Sequence, residues 1–441
     1  METIGLVSLG CAKNQVNGEQ MLSLLGEAGY PLTADPEEAE VLIINTCAFI
    51  ESAKQEAIDN ILEYAALKQA GKLKKLLVTG CLSQRYPEEI LAELPEVDGI
   101  LGTGSYGEIV PAVEAALRGE TPRLLGDISA PLSEGRRVLT TGPAWAYLKI
   151  AEGCDNRCSY CVIPDLRGRY RSRPMENLLL EAKALSEMGV RELIVVAQDI
   201  TRYGLDLYGK PKLSELLREL CKVEGLRWIR LHYLYPDLID DELMDTVASE
   251  PKILKYLDIP IQHIDDGILR RMNRRGSGAE LEALLSKLRQ RIPGLVIRTS
   301  LITGLPGEGE EEFEALCAFL RRAKLERVGV FPYSPEEGTP AYDMPRPDGD
   351  VAAHRAELAV DLQSEIMDGF NESRLGTVTE VLAEGYDRIA GCWYGRSWAE
   401  SPEVDGKIFF TGTDIQPGDF VRVRITDTLD GDLLGEMEGD A

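Results

Sequence analysis

The sequence lacks the features that would direct a protein out of the cell or into a membrane. No segment approaches the ~18 consecutive apolar residues that a membrane-spanning helix requires. Residues 1–9 lack the charged flank and the long apolar stretch of a secretory signal peptide. We therefore expect a mature, cytoplasmic protein.

Positive charge is also scarce. Lys and Arg total 48 against 74 Asp and Glu, so the formal net charge is -26. Such a field repels phosphate backbones, and a free tRNA or DNA substrate would need a local basic patch to overcome it. A basic protein would instead be attracted, although solubility alone also explains an acidic surface. The charge therefore favours a basic protein partner over free nucleic acid.

The 441 residues exceed one ordinary domain, and changes of pattern divide them into three. We predict an N-terminal α/β domain over residues 1–132, a barrel domain over 140–370 and a small β-barrel over 371–441. Turn-rich stretches at residues 131–143 and 344–350 mark the two breaks.

The first domain alternates short apolar runs with helical patterns. The runs at residues 4–9, 41–44 and 76–79 predict strands, and the alternation predicts an open parallel α/β sheet. A single cysteine follows each run. The carboxyl ends of such strands line a common crevice, so cysteines far apart in sequence can converge there. Taken singly, each of these cysteines would more often be a buried core residue.

Later apolar runs predict two further β structures. Six runs separated by helical patterns predict a partial or full parallel (β/α) barrel, whose active site would lie on the loops after the strands. They lie near residues 146–150, 192–197, 227–232, 255–259, 295–302 and 327–331. After a helical pattern that ends near Phe370, short runs at 378–382, 407–411 and 420–425 predict a small antiparallel β-barrel.

Nine cysteines without a secretory signal favour metal or redox chemistry over a disulfide framework. Three of them, Cys154, Cys158 and Cys161, form a C-x3-C-x2-C loop behind the first predicted barrel strand. Iron–sulfur clusters normally take four thiolates, so three thiolates leave one iron open for chemistry. A zinc site is the structural alternative, although no histidine or fourth cysteine lies nearby to complete it.

This loop resembles the signature of radical S-adenosylmethionine enzymes. In that family the open iron of a 4Fe–4S cluster chelates the amino and carboxylate groups of the cofactor. Cleavage of the cofactor then gives a 5′-deoxyadenosyl radical that takes hydrogen from an unactivated carbon. The resemblance therefore implies an enzyme that binds both a 4Fe–4S cluster and S-adenosylmethionine.

Single cysteines behind three N-terminal strands, ahead of a radical barrel, resemble the methylthiotransferases of that family. The resemblance implies that Cys11, Cys47 and Cys81 hold a second 4Fe–4S cluster, whose open iron presents the sulfur to be transferred. It also implies two S-adenosylmethionine molecules per turnover, since the second supplies the methyl group. An electron donor and a sulfur source are implied as partners.

Six segments resemble the branch that modifies the β-carbon of an aspartate in small-subunit ribosomal protein twelve. They are residues 8–14, 45–53, 78–86, 166–173, 197–204 and 333–339. Ala12 and Asn17 stand where this branch usually has proline and aspartate. The C-terminal part resembles the TRAM domain, and residues 372–441 carry 15 acidic against 6 basic residues. This balance favours docking of a basic ribosomal protein over a grip on tRNA.

The resemblance also suggests contacts to S-adenosylmethionine, for which the candidates are Tyr160, Gln198, Arg298 and Gly304. The basic cluster at residues 167–173 is open to two interpretations, a solvated loop or a contact for the cofactor carboxylate or ribosomal RNA. Two other functions stay open as well. One is a tRNA-adenosine methylthiotransferase with the same six cysteine ligands, and the other is a non-catalytic iron–sulfur or zinc protein that assists ribosome assembly.

Five further residues of reactive type are predicted to be structural. Cys221, Cys317 and Cys392 lie in helical or strand patterns, which is typical of buried apolar cysteines. His232 and His263 lie at predicted strand ends, where we expect hydrogen-bonded structural histidines.

Overall fold

The computed structural model describes residues 1–132, 134–142 and 144–438. They form two compact units. The first consists of Met1–Thr140, Ala151–Arg173 and Ser334–Tyr342, and the second holds the remaining segments. The chain therefore passes from one unit to the other five times. The division into three domains stays a prediction.

The first unit contains a six-stranded parallel sheet, which confirms the predicted parallel sheet and adds three short strands to the three predicted ones. Its order is β2-β1-β3-β4-β5-β6. The strands are β1 (Ile4–Ser8), β2 (Leu32–Thr33), β3 (Val41–Thr46), β4 (Lys75–Gly80), β5 (Gly99–Leu101) and β6 (Arg123–Leu124). The helices are α1 (Ala12–Glu27), α2 (Glu51–Gln69), α3 (Cys81–Arg85), α4 (Pro87–Glu93) and α5 (Ile109–Leu117).

Both faces of this sheet are covered, which explains why its central strands are continuous apolar runs. Along β3, Leu42 and Ile44 pack in one core with Ile61 of α2. The alternate residues Val41 and Ile43 point to the opposite core, which includes side chains of α1 and α5. β3 is therefore buried along its whole length.

The predicted linker at residues 131–143 carries neither helix nor strand in its described part, and Ser133 and Pro143 lie outside the described residues. It is nevertheless tied to the first unit. Arg137 and Glu19 form an ion pair at 3.2 Å in which both side chains are buried, and the backbone N–H of Thr140 donates to the same carboxylate.

The second unit begins with β7 (Trp145–Lys149), after which the chain returns to the first unit. There β8 (Ala151–Glu152) and β9 (Arg171–Ser172) form an antiparallel pair, and α6 (Ile163–Arg167) lies between them. The C-x3-C-x2-C loop therefore occupies the connection from β8 to α6.

The second unit contains a parallel sheet of six strands in sequential order, from β7 to β14. Among the described residues β7 and β14 form its two edges, so the predicted barrel is partial. The other strands are β10 (Glu192–Val196), β11 (Trp228–Leu231), β12 (Ile253–Asp258), β13 (Val296–Thr303) and β14 (Arg327–Pro332). The helices are α7 (Met175–Glu187), α8 (Leu205–Tyr208), α9 (Leu213–Cys221), α10 (Asp241–Ser249), α11 (Asp266–Arg271), α12 (Gly278–Arg291), α13 (Glu310–Ala323) and α14 (Gly349–Glu372).

The predicted C-terminal β-barrel is confirmed, and it is closed. All its strand pairs are antiparallel except β17 with β19, which is parallel. Its core includes Val381, Ile408, Phe410 and Val423. The strands are β15 (Val378–Asp387), β16 (Cys392–Arg396), β17 (Ile408–Thr411), β18 (Phe420–Leu429) and β19 (Asp432–Met437). No helix among the described residues is long and apolar enough to cross a membrane.

Buried ion pairs join this barrel to the parallel sheet of the same unit. Glu192 at the start of β10 accepts from Arg230 of β11 and from Arg396 of β16, each at 2.7 Å, and the three side chains are at most 1% exposed. Glu400 pairs with Arg374 and with Arg327 of β14. Burial alone would raise the pKa of Glu400, but these two guanidinium groups lower it to about 2.

The segment after β16 adds three hydrogen bonds to the sheet. The hydroxyls of Tyr147 and Tyr256 donate to the carboxylates of Glu403 and Asp405 at 2.7 and 2.6 Å. The Ser401 hydroxyl lies 2.7 Å from Nε2 of His232. His232 is thus a hydrogen-bonded structural histidine, as the sequence predicts.

Candidate functional site

The three N-terminal cysteines lie at equivalent points of the first unit. Cys11 follows β1 and is the N-cap of α1, Cys47 follows β3, and Cys81 follows β4 as the first residue of α3. β1, β3 and β4 are adjacent in the sheet. The three cysteine-bearing loops are therefore neighbours at its carboxyl edge, where ligand sites of such sheets form.

Two glycines allow these loops to pack against each other. Gly10 has φ +88°, and a Cβ atom there would lie 2.6 Å from Cβ and 3.1 Å from Sγ of Cys47. Gly80 has φ +98°, and a Cβ atom there would lie 2.5 Å from the carbonyl oxygen of Thr46. Only glycine combines this backbone conformation with such close approach.

The thiols of these cysteines share one electrostatic environment. Burial raises the pKa of Cys47 to about 12, and the charges of Cys11 and Cys81 add to the rise. Burial also raises the pKa of Cys81, against the nearby charge of Arg167. For Cys11 burial is outweighed by Lys13, Arg167 and backbone amides, which lower its pKa. Two buried thiols and a half-buried one that repel one another as thiolates suit a bound metal centre, which deprotonates its ligands.

Arg167 supplies a buried cation at this site. Its guanidinium donates to Cys81 Sγ at 3.6 Å and to Glu152 Oε1 at 2.8 Å. It also donates to the side-chain oxygens of Asn14 and, at 3.3 Å, of Asn17. The arginine is 2% exposed. Burial opposes its charge, but Glu152 and the nearby thiols keep its pKa well above the ordinary value.

Asn14 links the loops of Cys11 and Cys47. Its side-chain N–H groups donate to the carbonyls of Leu9 and Thr46, the latter at 2.8 Å. The backbone carbonyl of Asn14 accepts from the side-chain amide of Asn45 at 2.7 Å. The sequence did not mark Asn14 or Asn17 as site residues. Asn17 was noted only because the family branch usually has aspartate at this position.

Several buried hydroxyls of this unit have no hydrogen-bond partner among the described atoms, including those of Tyr106 and of Ser83, two residues after Cys81 in α3. Burial raises the pKa of Tyr106, and Arg167 and Cys81 both act on it electrostatically, so its hydroxyl lies near them. Buried hydroxyls normally find a partner. Three thiols, a guanidinium and two unused donors therefore fit a thiolate-ligated iron–sulfur cluster, whose sulfurs accept hydrogen bonds.

The C-x3-C-x2-C loop is held by backbone contacts. The N–H of Cys154 donates to the carbonyl of Gly168 at 3.2 Å, and the N–H of Cys161 donates to that of Cys158 at 3.0 Å. All three cysteines are half-buried, which leaves the loop accessible to a cofactor. Within the part of the chain that the structure describes, no three His, Cys, Asp or Glu side chains are grouped to hold a single metal ion.

The segment Ser334–Tyr342 has contacts with both sets of cysteine-bearing elements. Residues 333–339 were singled out in the sequence for their resemblance to the family branch, but these contacts were not anticipated. Its Ala341 N–H donates to the carbonyl of Ser159, between Cys158 and Cys161, at 2.9 Å. The buried carboxylate of Glu336 pairs with Lys54 of α2 at 3.2 Å and with Arg85 of α3 at 2.5 Å.

The predicted basic cluster at 167–173 serves structural contacts within the first unit. Arg169 is exposed and pairs with Asp155. Arg171 donates to backbone carbonyls, including that of Ala130 at 2.9 Å, and Arg173 pairs with Glu134. The two interpretations from the sequence, a solvated loop or a contact for the cofactor carboxylate or ribosomal RNA, treated the cluster as one group. In the structure each arginine has a different partner.

The candidates for S-adenosylmethionine contacts divide between the units. Tyr160 lies in the first unit, and Gln198, Arg298 and Gly304 lie in the second. Gln198 is the second residue after β10. Arg298 of β13 pairs with the buried Asp258 at 3.0 Å. Their contact with the cofactor stays a prediction.

Gly304 lies directly after β13 and has φ +75°. Its N–H donates to Glu308 at 2.8 Å, and Arg355 donates to the same oxygen at 2.9 Å. His263 is fully buried, and its Nδ1 accepts from the N–H of Asp265 at 3.0 Å. Its Nε2 has no hydrogen-bond partner among the described atoms and lies 3.4 Å from Oε2 of Glu308, so the predicted hydrogen bonding is found at one ring nitrogen only. The sequence predicts that Cys221, Cys317 and Cys392 are buried. This prediction is wrong, because all three are only half-buried.

Comparisons with known proteins define the class. Three family models match the chain: Uncharacterized protein family UPF0004 over residues 3–102, Radical SAM superfamily over 148–320 and TRAM domain over 375–437. Among solved structures, the radical S-adenosylmethionine methyltransferase TsrM from Kitasatospora setae, with cobalamin and a [4Fe-4S] cluster bound, is similar in fold. It has a TM-score of 0.58 at 16% identity, and 77% of each chain is covered. The matches and the cysteine loop define a radical S-adenosylmethionine enzyme.

Full-length relatives narrow the class. The ribosomal protein uS12 methylthiotransferase RimO of Pelotomaculum thermopropionicum is 52% identical over 442 residues, with 98% of both chains covered. The protein of the same name from Geobacter sulfurreducens is 48% identical and covers 99% of this chain and 98% of its own. The chain belongs to the ribosomal protein uS12 methylthiotransferase family. The predicted resemblance to that branch is thereby confirmed.

Gly10→Ala should remove one of two iron–sulfur clusters. The new methyl group would meet Cys47, and the positive φ adds strain of about 1–2 kcal/mol. We expect iron in the anaerobically reconstituted protein to fall from about eight to about four per chain. Gly71→Ala is the matched control, since Gly71 has φ +74° but no neighbour within 4 Å. Equal iron in both variants would contradict the packing argument.

Proposed function

We propose that the protein methylthiolates the β-carbon of an aspartate in ribosomal protein uS12, with two 4Fe–4S clusters and two S-adenosylmethionine molecules per turnover. The observation that carries this proposal is the division of six cysteines into two sets, both within one compact unit. One set lies on three neighbouring strand ends, and the other lies on a single loop. One folded unit can thus hold both metal centres that sulfur insertion needs.

Cys154, Cys158 and Cys161 would hold the cluster to which S-adenosylmethionine binds, and Cys11, Cys47 and Cys81 would hold the second. When bound, these groups supply the hydrogen-abstracting radical and the sulfur. The chain itself binds, orients and shields them. Cys47 and Cys81 are buried at 9% and 4% exposure, which keeps water from the second site.

Tyr160, Gln198, Arg298 and Gly304 are the residues we propose to contact S-adenosylmethionine. For Gly304 the support is its place directly after β13; its lack of a side chain is explained by packing, because a Cβ atom there would lie 2.2 Å from Cβ of Ala352 in α14.

The surface charge of the C-terminal barrel supports a basic protein substrate. Of the 6 basic residues in 372–441, Arg374 and Arg396 are buried at 8% and 1% exposure, in ion pairs with Glu400 and Glu192. The exposed surface is therefore even more acidic than the composition indicates. Such a surface attracts a basic ribosomal protein and repels free tRNA. We place the reaction in the cytoplasm, with an electron donor and a sulfur source as further partners.

The test is anaerobic reconstitution followed by assay of both substrate classes. With reductant and S-adenosylmethionine, we expect about eight irons per chain and a methylthio mass increment on uS12. Protein without reductant is the control for adventitious sulfur. The same increment on tRNA instead would assign the protein to tRNA modification. Four irons without product would reject the second cluster, and no cleavage of S-adenosylmethionine would favour a non-catalytic assembly protein.

A further inference from the structure

Arg167 connects the two sets of cysteines within the first unit. It ends α6, which begins two residues after Cys161, and its guanidinium reaches Cys81 Sγ at 3.6 Å. Its ion-pair partner Glu152 lies two residues before Cys154. The backbone that carries the radical-forming loop thus places a permanent positive charge against a ligand of the other set.

The surroundings of Arg167 leave much of that charge available to the thiols. Glu152 is the carboxylate in contact with it, at 2.8 Å, while Asn14 and Asn17 accept its other hydrogen bonds as neutral amides. An arginine stays charged even when it is buried. A charge-assisted hydrogen bond to sulfur in a dry site is stronger than one exposed to water.

We propose that Arg167 is a positioning residue that raises the reduction potential of the cluster held by Cys11, Cys47 and Cys81. The inference rests on the proposed function. Net charge and hydrogen bonds to sulfur set the potential of an iron–sulfur cluster. A guanidinium favours the reduced cluster because reduction adds negative charge beside it. The contact also fixes Cys81 relative to Asn14 of α1, so the sulfur-presenting site and the radical-forming loop are positioned by one side chain.

The experiment uses full-length chain with Cys154, Cys158 and Cys161 replaced by alanine, so that one cluster is observed. Its midpoint potential is measured by redox titration monitored by electron paramagnetic resonance. Arg167→Gln should lower the reduced-to-oxidised ratio at a fixed potential about tenfold, which is about 59 mV for a one-electron couple. Arg167→Lys should restore most of the ratio, and Glu152→Gln should shift it in the opposite direction.

Arg169→Gln is the matched control. It also removes one arginine charge, but Arg169 lies two residues further along the chain and its side chain is exposed. The cluster of the Arg169→Gln protein should have the same midpoint potential as that of the parent protein, which carries only the three cysteine-to-alanine changes. An assembled cluster with the same potential in the Arg167→Gln and Arg169→Gln proteins would overturn the proposal. If the parent protein assembles no cluster at all, the proposed function fails instead, and the two failures are distinguishable.

Arg167→Gln leaves the Glu152 carboxylate buried and could prevent folding. Asn17→Asp avoids this problem, since it keeps the guanidinium and places a carboxylate where the amide oxygen lies 3.3 Å from it. The new carboxylate should offset part of the positive charge of Arg167 at the cluster. The midpoint potential should therefore fall, as it should in Arg167→Gln. An unchanged potential in Asn17→Asp would count against the proposal whether or not Arg167→Gln folds.

Discussion

Cys47→Ala should abolish methylthiolation while leaving cleavage of S-adenosylmethionine intact, whereas Cys154→Ala should abolish both. Cys47 lies between two loops that carry the other N-terminal cysteines, and its loss would leave two thiolates for the proposed cluster, whereas iron–sulfur clusters are normally held by four. The loop of Cys154 is held by hydrogen bonds from Cys154 to Gly168 and from Ala341 to Ser159, neither of which involves Cys47. We expect product formation to fall at least a thousandfold in both variants, about 4 kcal/mol in the barrier.

The measurements are methylthio product by mass spectrometry and 5′-deoxyadenosine by chromatography, on the same reconstituted samples. Cys221→Ala is the control, because Cys221 is a half-buried cysteine at the end of α9 in the second unit. It should retain both activities. Methylthiolation that survives Cys47→Ala would show that the two-cluster assignment is wrong.

Glu192→Gln should cost about 3–5 kcal/mol of unfolding free energy, the usual loss when one partner of a buried ion pair is removed. Glu192 is fully buried between Arg230 and Arg396. Arg230 would lose its carboxylate partner, whereas Arg396 would keep its ion pair with Glu384 at 2.6 Å. Arg230 would keep its hydrogen bonds to the carbonyls of Ser397 and Trp398. Urea denaturation followed by circular dichroism measures the loss.

An exposed pair provides the comparison. Arg118 and Glu120 are each 59% exposed and lie 2.8 Å apart, so Glu120→Gln should change stability by less than about 1 kcal/mol. Equal losses in the two variants would mean that the buried pairs do not join the barrel to the sheet. A separate early transition in Glu192→Gln would show that the C-terminal barrel had come away first.

The six strands of the second parallel sheet and the strands β1, β3 and β4 of the first could be predicted because doubly covered strands are continuous apolar runs. β3 and β4 illustrate this, since nearly every residue in them is buried. β16 and β19 were missed. Their sequences include Gly395 and Gly435, and their side chains are only partly buried on a small barrel, so they lack an apolar run. β5 is three residues long and gives too short a signal.

The candidate site could be predicted as far as its cysteines. Spacing and position after strands pick out ligands, but they do not show which arginine of a cluster is buried. Arg167 and Arg169 look alike in sequence, and only tertiary packing places one at 2% exposure beside Cys81 and the other at the surface. Tyr106 was missed because it lies far along the chain from the thiols it approaches. Glu336 falls in the segment 333–339 that the resemblance picked out, but its distance along the chain from Lys54 and Arg85 hid its ion pairs.

The repeated passage of the chain between the two units has a consequence for biosynthesis. The first unit includes Ser334–Tyr342, so it cannot be completed until residue 342 of 441 has left the ribosome. The sheet that carries Cys11, Cys47 and Cys81 must therefore wait, without the Glu336 contacts to Lys54 and Arg85, while most of the second unit is made. Iron–sulfur loading during translation would meet an unfinished site, which favours insertion of the metal centres after synthesis ends.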